Sequence, residues 1–95
     1  MEATPLGSQT GVARSAAEAV VYGTRWCAGT QMVRRWLTRQ GILHSYVDLE
    51  ATPGAADQLR WLTGGSASHP TVIINGEILV EPSLSELAWT LRAAV

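Results

Sequence analysis

The stretch AVVYGTRWCAGT at residues 19–30 decides how this 95-residue chain folds. It begins with a short apolar run, residues 19–22, whose two β-branched valines predict a buried strand. Gly23 and Thr24 end that strand, and Cys27 lies in the turn that follows. The chain therefore passes from a strand to a helix across its single cysteine.

A helix and a second strand follow this turn. Val33 and the two apolar residues at i+3 and i+4 give a helix over about residues 28–40 one apolar face. Gly41 suits the left-handed position that follows the end of a helix, and residues 44–49 predict the second strand. A strand, a helix and a strand joined by short links predict a right-handed βαβ unit with a parallel strand pair.

The next part of the sequence predicts a second helix and a β-hairpin. Thr52 as the N-cap and Pro53 at the first helical position predict where this helix begins. Residues 71–74 are all β-branched and residues 78–80 are apolar, so each run predicts a strand. The Asn-Gly pair between the two runs is a strong signal for a two-residue turn, which makes the strands antiparallel.

A third helix ends the chain, and it completes the order β-α-β-α-β-β-α. Ser83 and Glu86 have the three-residue spacing of a capping box. A four-stranded mixed sheet with helices on both faces buries the apolar side of every element, so the predicted fold class is α/β. Residues 1–17 have no apolar period, and we expect a flexible tail that precedes one domain at residues 18–95.

The composition excludes several classes of function. A net charge of −1 argues against binding nucleic acid through bulk charge. No apolar run approaches the roughly 18 residues of a membrane span, and the pattern of a secretory signal is missing. The single cysteine excludes an internal disulfide framework and a Cys-rich zinc site. We therefore expect a cytoplasmic monomer with no metal site and with no nucleic-acid or membrane partner.

Cys27 is the candidate for chemistry because of its place in the fold. Sites in open α/β sheets gather at the carboxyl ends of parallel strands. The N-terminus of a helix also favours an anion, so this position can lower a cysteine pKa and yield a nucleophilic thiolate. Thr30 can donate its hydroxyl to the sulfur from the first helical turn, and Arg25 adds a positive charge nearby. The alternative is a buried, inert cysteine that fills the core.

The residues around this cysteine resemble the active-site segment of glutaredoxins. They are most similar to the actinobacterial branch called mycoredoxins, which has Trp before the active cysteine. The resemblance covers about residues 19–95 and rests on the order and spacing of several short motifs. These motifs are YGTRWCAGT at 22–30, Gly64-Gly65, Pro70-Thr71-Val72, Asn75-Gly76, Leu79, Pro82-Ser83 and Glu86-Leu87. The resemblance implies a thioredoxin-like fold in which Cys27 is the nucleophile of a monothiol Cys-Ala-Gly-Thr motif.

The same resemblance implies where a low-molecular-weight thiol, glutathione or mycothiol, would bind. Pro70 would be in the cis form and face the sulfur, and the backbone around His69 would pair with the main chain of the thiol. Thr71 would help to shape this groove. Ser83 and Leu84, at the N-terminus of the last helix, would receive a carboxylate of the thiol.

Two positions depart from the family pattern. Thr30 stands where dithiol relatives have their second cysteine, so only a monothiol route remains, in which Cys27 takes the small thiol from a mixed disulfide. His69 precedes Pro70 where relatives usually have an apolar β-branched residue. Its imidazole could stabilise the thiolate or shuttle a proton, or it could be a loop residue without a role.

Two further surface features have two interpretations each. Trp26, next to the sulfur, would lie on the rim of the groove, where it could contact a protein substrate or shield the loop. Arg34, Arg35 and Arg39 are most simply a solvated helix face, and the functional alternative is that they steer an anionic thiol.

The sequence therefore predicts a monothiol glutaredoxin-like or mycoredoxin-like enzyme. We expect it to reduce mixed disulfides between proteins and a small thiol, with that thiol as co-substrate and no tightly bound cofactor. Two alternatives stay open. One is an iron–sulfur carrier that binds a [2Fe-2S] cluster across a dimer, and the other is a redox-inactive thioredoxin-fold module for protein contacts.

Overall fold

The computed structural model describes residues 18–93, so the tail predicted at residues 1–17 lies outside the described residues. The described part has the predicted order β-α-β-α-β-β-α and thus confirms it. The elements are β1 (Glu18–Gly23), α1 (Ala28–Arg39), β2 (Leu43–Asp48), α2 (Ala55–Thr63), β3 (Thr71–Ile74), β4 (Glu77–Val80) and α3 (Leu84–Ala93). No helix in the described part is long and apolar enough to cross a membrane.

The four strands form the mixed sheet that the sequence predicts, in the order β2-β1-β3-β4. β1 and β2 are parallel, whereas β3 is antiparallel to both β1 and β4. Thr71 at the start of β3 pairs with Tyr22 near the end of β1 and with Val80 at the end of β4. The turn after β1, the loop before β3 and the segment after β4 therefore meet at one edge of the sheet.

Apolar side chains from β1 and β3 form the centre of the core. Ala19 and Val21 are register partners of Ile74 and Val72, so these four side chains share one face of the sheet. All four are buried, and they pack in one cluster with residues from α1 and α3, among which Leu37 and Leu87 are fully buried. Burial of each valine, leucine or isoleucine side chain in this cluster stabilises the fold by about 1.5–3 kcal/mol.

The helix α2 packs apart from this cluster. Its apolar residues Ala55 and Leu59 are buried but are not members of the cluster that α1 and α3 share. On β1 and β3, Tyr22 and its partner Thr71 are buried and point to the face opposite Val21. Helices therefore cover both faces of the sheet.

The hairpin and the end of α1 confirm the predicted turn chemistry. Asn75 and Gly76 both have a positive φ, 50° and 83°, which is the geometry of a type I′ turn. Gly41, with a φ of 72°, follows α1. Its N–H and that of the next residue return to the carbonyls of Thr38 and Leu37, at 3.0 Å each. This pattern is a Schellman motif, which needs the left-handed glycine.

The predicted start of α2 is wrong. The N-cap is Gly54, in the left-handed region with a φ of 79°, and the helix begins at Ala55. The reason is a turn built on Asp48, whose carboxylate accepts N–H bonds from Glu50 at 2.8 Å and Ala51 at 3.1 Å. The residues between β2 and Gly54 therefore form turns. Thr52 and Pro53 belong to these turns and precede the helix.

Candidate active site

Cys27 is the N-cap of α1. Its backbone is extended, with a φ of −87° and a ψ of 115°, and its carbonyl accepts the N–H of Gln31 at 3.2 Å as the first bond of the helix. Its own N–H donates to the carbonyl of Thr24 at 3.2 Å, which closes the turn after β1. The side chain is half-buried and lies outside the core cluster. The sulfur is therefore placed beside the unpaired N–H groups of the first helical turn.

The loop that ends in Pro70 faces the sulfur. The Sγ atom of Cys27 lies 4.0 Å from the carbonyl oxygen of His69, and the His69–Pro70 peptide bond is cis, as the resemblance implies. A Cβ built on Gly29 would lie 3.3 Å from Cδ of Pro70 and 3.8 Å from the Cys27 sulfur. A side chain at Gly29 would therefore press on the ring of Pro70 and reach ordinary contact distance of the sulfur.

The surroundings of Cys27 lower the pKa of its thiol. The largest cause is the hydroxyl of Thr30, followed by the N–H of Thr30 and, with a smaller effect, the N–H of Gly29. Partial burial and the Glu81 carboxylate raise the pKa and so oppose these groups. The net direction is downward, which increases the fraction of thiolate near neutral pH.

The Thr30 side chain is fully buried against β1. Its hydroxyl oxygen makes no hydrogen bond within ordinary distance and angle limits to any described residue. Its proton is therefore available to a sulfur that becomes charged. A Cβ built on Gly23 would overlap the Thr30 side chain, so this position requires glycine for close approach. The sequence indicated Gly23 only as the end of a strand, because the contact depends on how the helix packs on β1.

Arg25 and Trp26 lie beside Cys27 on the surface. The guanidinium carbon of Arg25 is 5.1 Å from the centre of the Trp26 ring, and 76% of Trp26 is exposed. The Glu81 carboxylate raises the Cys27 pKa. The pKa of Asp48 is lowered, chiefly because its carboxylate accepts the Glu50 N–H, and the charge of Arg25 makes a smaller contribution.

His69 and Thr71, on either side of Pro70, have different surroundings. The imidazole of His69 is exposed, with Nδ1 3.5 Å from the Ala67 carbonyl, and it is the backbone carbonyl of His69 that faces the sulfur. Thr71 is fully buried, and its hydroxyl donates to the Ser68 carbonyl at 2.7 Å. The Thr71 side chain therefore fixes the loop from the inside.

Ser83 and Leu84 begin α3 at the same edge of the sheet. The N–H of Glu81, two residues before Ser83, donates to the Pro70 carbonyl at 2.8 Å, which ties this segment to the proline loop. Ser83 donates its N–H to the Glu86 carboxylate at 2.7 Å and accepts the Glu86 N–H at 3.1 Å, which confirms the capping box. One of the N–H groups predicted to receive a thiol carboxylate is thus already bonded.

A residue that the sequence analysis missed, Gln31, fastens the turn before Cys27. Its side-chain amide donates to the carbonyl of Arg25 at 3.2 Å and to that of Thr24 at 3.5 Å. Its amide oxygen accepts a bond from Arg34 at 3.2 Å. The available signal was a long polar side chain four residues after the N-cap, since residues at i and i+4 share one face of a helix.

No group of three or more His, Cys, Asp or Glu side chains within residues 18–93 could hold a metal ion. The hypothesis of a bridging cluster uses one cysteine from each of two chains, so this observation does not address it. The reactive group that this site contains is the Cys27 thiol, whose pKa is lowered.

These features define a class of protein, a thioredoxin-like fold with a single cysteine at the N-terminus of its first helix. The glutaredoxin of Archaeoglobus fulgidus matches with a TM-score of 0.70 and 19% identity, over 90% of this chain and 98% of that chain. A thioredoxin-like protein matches with a TM-score of 0.68 and 22% identity, over 75% of this chain and 96% of its own. At these identities the likeness establishes the fold.

Sequence similarity identifies the family within this class. The glutaredoxin family model matches residues 19–79. A protein of Mycobacterium tuberculosis that carries a provisional glutaredoxin name is 32% identical over 68 residues, which cover 70% of this chain and 81% of that protein. The chain belongs to the glutaredoxin family, as its residues predicted. Members of this family use glutathione-like thiols as co-substrates and act on protein disulfides.

Proposed function

We propose that this protein is a monothiol thiol–disulfide oxidoreductase that removes a low-molecular-weight thiol, glutathione or mycothiol, from proteins. The observation that carries the proposal is the place of the Cys27 sulfur. It is half-buried at the N-cap of α1, it faces the loop before Pro70, and its pKa is lowered. An accessible thiolate at such a position is a nucleophile for disulfides.

The first step forms a disulfide on Cys27. Its thiolate attacks the small-thiol sulfur of a protein mixed disulfide, a new S–S bond to Cys27 forms, and the old S–S bond breaks. The electron pair of that bond leaves with the protein sulfur, which takes a proton from water. Thr30 and the N–H groups of the first turn hold the charge of Cys27 before the attack.

The second step restores the enzyme and consumes a second small thiol. The thiolate of this molecule attacks the small-thiol sulfur that is bound to Cys27, and the Cys27 thiolate leaves. The products are the symmetrical disulfide of the small thiol and the free enzyme. Thr30 occupies the position of a resolving cysteine, and Cys27 is the single cysteine of the chain, so an internal disulfide cannot compete with this step.

We infer that the surface between the Pro70 loop and Trp26, around the Cys27 sulfur, receives the mixed disulfide. The carbonyl of His69, 4.0 Å from the sulfur, lies where it can accept an N–H from the main chain of the small thiol. Trp26 offers a large exposed ring to the protein part of the substrate. The N–H groups of Leu84 and Ser85, in the first turn of α3, are suited to a carboxylate of the small thiol.

The test is to find which half of the substrate becomes attached to Cys27. A peptide–glutathione and a peptide–mycothiol mixed disulfide would each be mixed with the protein, and the adduct identified by mass spectrometry. We expect the small thiol on Cys27 and the peptide released as a free thiol, followed by turnover when more small thiol is added. The faster of the two substrates identifies the co-substrate.

Two results would contradict the proposal. One is a rate no higher than that of the Cys27→Ser variant, which serves as the matched control because serine is similar in size and suits the N-cap position. The other is attachment of the peptide, instead of the small thiol, to Cys27. Measurement of the rate of Cys27 alkylation against pH, before and after His69→Ala, decides separately whether the imidazole has a role.

A further inference from the structure

An open groove of about 410 Å³ runs along α1 toward the start of β2. Every side chain that lines it is either basic or an uncharged hydrogen-bonding group. These residues are Gln31, Arg34, Arg35, Thr38, Arg39 and His44.

The positive charge of this groove is local. The chain as a whole has a net charge of −1, but α1 contains three arginines and no acidic residue. On α2, by contrast, Arg60 forms an ion pair with Asp57 at 2.9 Å. No carboxylate within residues 18–93 comes as near to any of the three α1 arginines, so their charges are available to an anionic ligand.

One of the three arginines is held in place. The guanidinium carbon of Arg34 lies 3.9 Å from the centre of the Tyr46 ring, and Arg34 also donates to Gln31 at 3.2 Å. Tyr46 in turn donates its hydroxyl to the Asp48 carboxylate at 3.3 Å, so one acidic residue lies at the hydroxyl end of the ring. A guanidinium that is already ordered loses less conformational entropy when a ligand binds.

The other two arginines set a spacing. Arg35 and Arg39 are exposed and lie one helical turn apart, which is about 6 Å along the axis. In an extended polypeptide, side chains at i and i+2 point to the same side and are about 6.6–7 Å apart. Two acidic residues with this spacing could therefore each meet one guanidinium, whereas a single phosphate group would leave much of the groove empty.

The groove adjoins the turn that carries the nucleophile. Gln31 lines the groove and also bonds to the carbonyls of Thr24 and Arg25, directly before Cys27. The end of the groove at Gln31 therefore lies next to the turn that a polypeptide must reach when its disulfide sulfur is at Cys27.

We propose that this groove binds an acidic segment of the protein substrate and so selects among mixed disulfides. The proposal rests on the proposed function, since the segment is part of a polypeptide whose disulfide reaches Cys27. Binding would depend on ion pairs between the arginines of the groove and the carboxylates of the segment. Such pairs on a solvent-exposed surface increase the rate of association and are weakened by salt.

The kinetic test uses two peptide–glutathione mixed disulfides. One has Glu at two positions with i, i+2 spacing near the disulfide, and the other has Gln at these positions. We expect wild-type protein to prefer the Glu peptide in kcat/KM by about tenfold at low salt, and the Arg35→Gln/Arg39→Gln variant to lose this preference. The matched control is Arg60→Gln/Arg92→Gln, which removes the same charge from the other two helices and should keep the preference.

A binding test separates this proposal from the proposed function. A cysteine-free Glu peptide with a fluorescent label would be titrated with the full chain, and its anisotropy measured at low and high salt. We expect binding that high salt and the Arg35→Gln/Arg39→Gln substitutions each weaken about tenfold, whether or not the protein reduces any disulfide. Binding of pyrophosphate without binding of the peptide would overturn the proposal. So would equal affinity for the peptide in the wild type and in the Arg35→Gln/Arg39→Gln variant.

Discussion

Two helix N-termini lie at the same edge of the sheet, and they are capped in opposite ways. At α3, Ser83 and Glu86 satisfy each other's N–H groups at 2.7 and 3.1 Å. At α1, the N-cap Cys27 makes no side-chain capping bond, and the first turn contains no acidic residue. At α3 the side chains of Ser83 and Glu86 bond to N–H groups of the helix end. At α1 no side chain of the helix does so, and the N–H groups of the first turn face the Cys27 sulfur.

The difference separates stability from chemistry. A serine N-cap stabilises a helix by about 1 kcal/mol relative to alanine, and the α3 end uses this gain. The N-terminus of α1 lacks this stabilising side-chain cap. Its groups instead lower the pKa of the Cys27 thiol, and the buried hydroxyl of Thr30 makes the largest contribution. Each prediction below changes one of these two ends or the contacts that hold it.

Replacement of the sulfur by a hydroxyl should have the largest effect. We expect Cys27→Ser to reduce the reduction of mixed disulfides to the uncatalysed rate, because serine cannot form a disulfide. The free energy of unfolding should stay the same or rise by up to about 1 kcal/mol, since serine is a favoured N-cap. Enzyme assays and urea denaturation would measure the two effects.

Ser83→Ala is the matched change at the other helix. It should lower the free energy of unfolding by about 1 kcal/mol and leave the rate of Cys27 alkylation as it is. A Cys27→Ser variant that still reduced disulfides, or a Ser83→Ala variant that slowed alkylation, would contradict the division between a closed end and a reactive end.

The second largest effect should come from Gly23→Ala. The added methyl group would overlap the Thr30 side chain. Overpacking of this kind lowers the free energy of unfolding by about 1–3 kcal/mol. The same substitution in a Thr30→Ala background should be less destabilising, because the two nearest overlapping atoms, the hydroxyl oxygen and the methyl carbon, are gone and the Cβ at 2.9 Å remains. An equal loss in both backgrounds would show that the contact with Thr30 is not the reason for glycine here.

The third prediction concerns the hydroxyl of Thr30 alone. Thr30→Val keeps the shape and removes the largest cause that lowers the Cys27 pKa, so that pKa should rise. The rate of alkylation near neutral pH should fall severalfold, and the whole pH profile should move to higher pH. Stability should change little, because the lost hydroxyl has no other hydrogen-bond partner among the described residues. If the pH profile of alkylation did not move, the Thr30 hydroxyl would not contribute to the lowered Cys27 pKa.

The same variant should change how stability depends on pH. The Cys27 pKa is lower in the folded protein than in the unfolded chain, where it is about 8.5. Ionisation therefore favours the folded state above the unfolded pKa, and this contribution is lost as the pH falls through the lowered folded value. Urea denaturation between these two values should show a pH dependence in the wild type that is smaller in Thr30→Val and absent in Cys27→Ser.

The parts of this molecule that the sequence predicts correctly are the local ones. The type I′ turn at Asn75-Gly76 and the capping box at Ser83 each depend on residues within four positions of one another. The parallel pair of β1 and β2 and the antiparallel pair of β3 and β4 follow from such local elements together with general rules for connections. The start of α2 was wrong because the Asp48 side chain, seven residues before Ala55, organises the turns that precede the helix.

The site could be predicted only in outline. The position of Cys27 at a helix N-terminus follows from the pattern of a strand, a turn and a helix. The contact between Gly23 and Thr30 depends instead on how α1 packs on β1, and the two bonds of Gln31 depend on the path of the turn. The pattern of apolar residues in the sequence predicts neither contact, because each one joins residues of different structural elements.

The smallest effect should come from a change at Glu81. Its carboxylate raises the Cys27 pKa and so opposes the groups at the N-terminus of α1 that lower it. Glu81→Gln should therefore lower that pKa a little further and make alkylation slightly faster near neutral pH. Glu81 is exposed, so added salt should screen its charge and reduce the effect, whereas the effect of Thr30→Val should persist because a hydrogen bond is local. Glu86→Gln is the control: it weakens the α3 cap and should leave the alkylation profile in place. If Glu81→Gln raised the Cys27 pKa, or if salt did not alter its effect, the carboxylate would not act through its charge, and the α1 end would be set by hydrogen bonds alone.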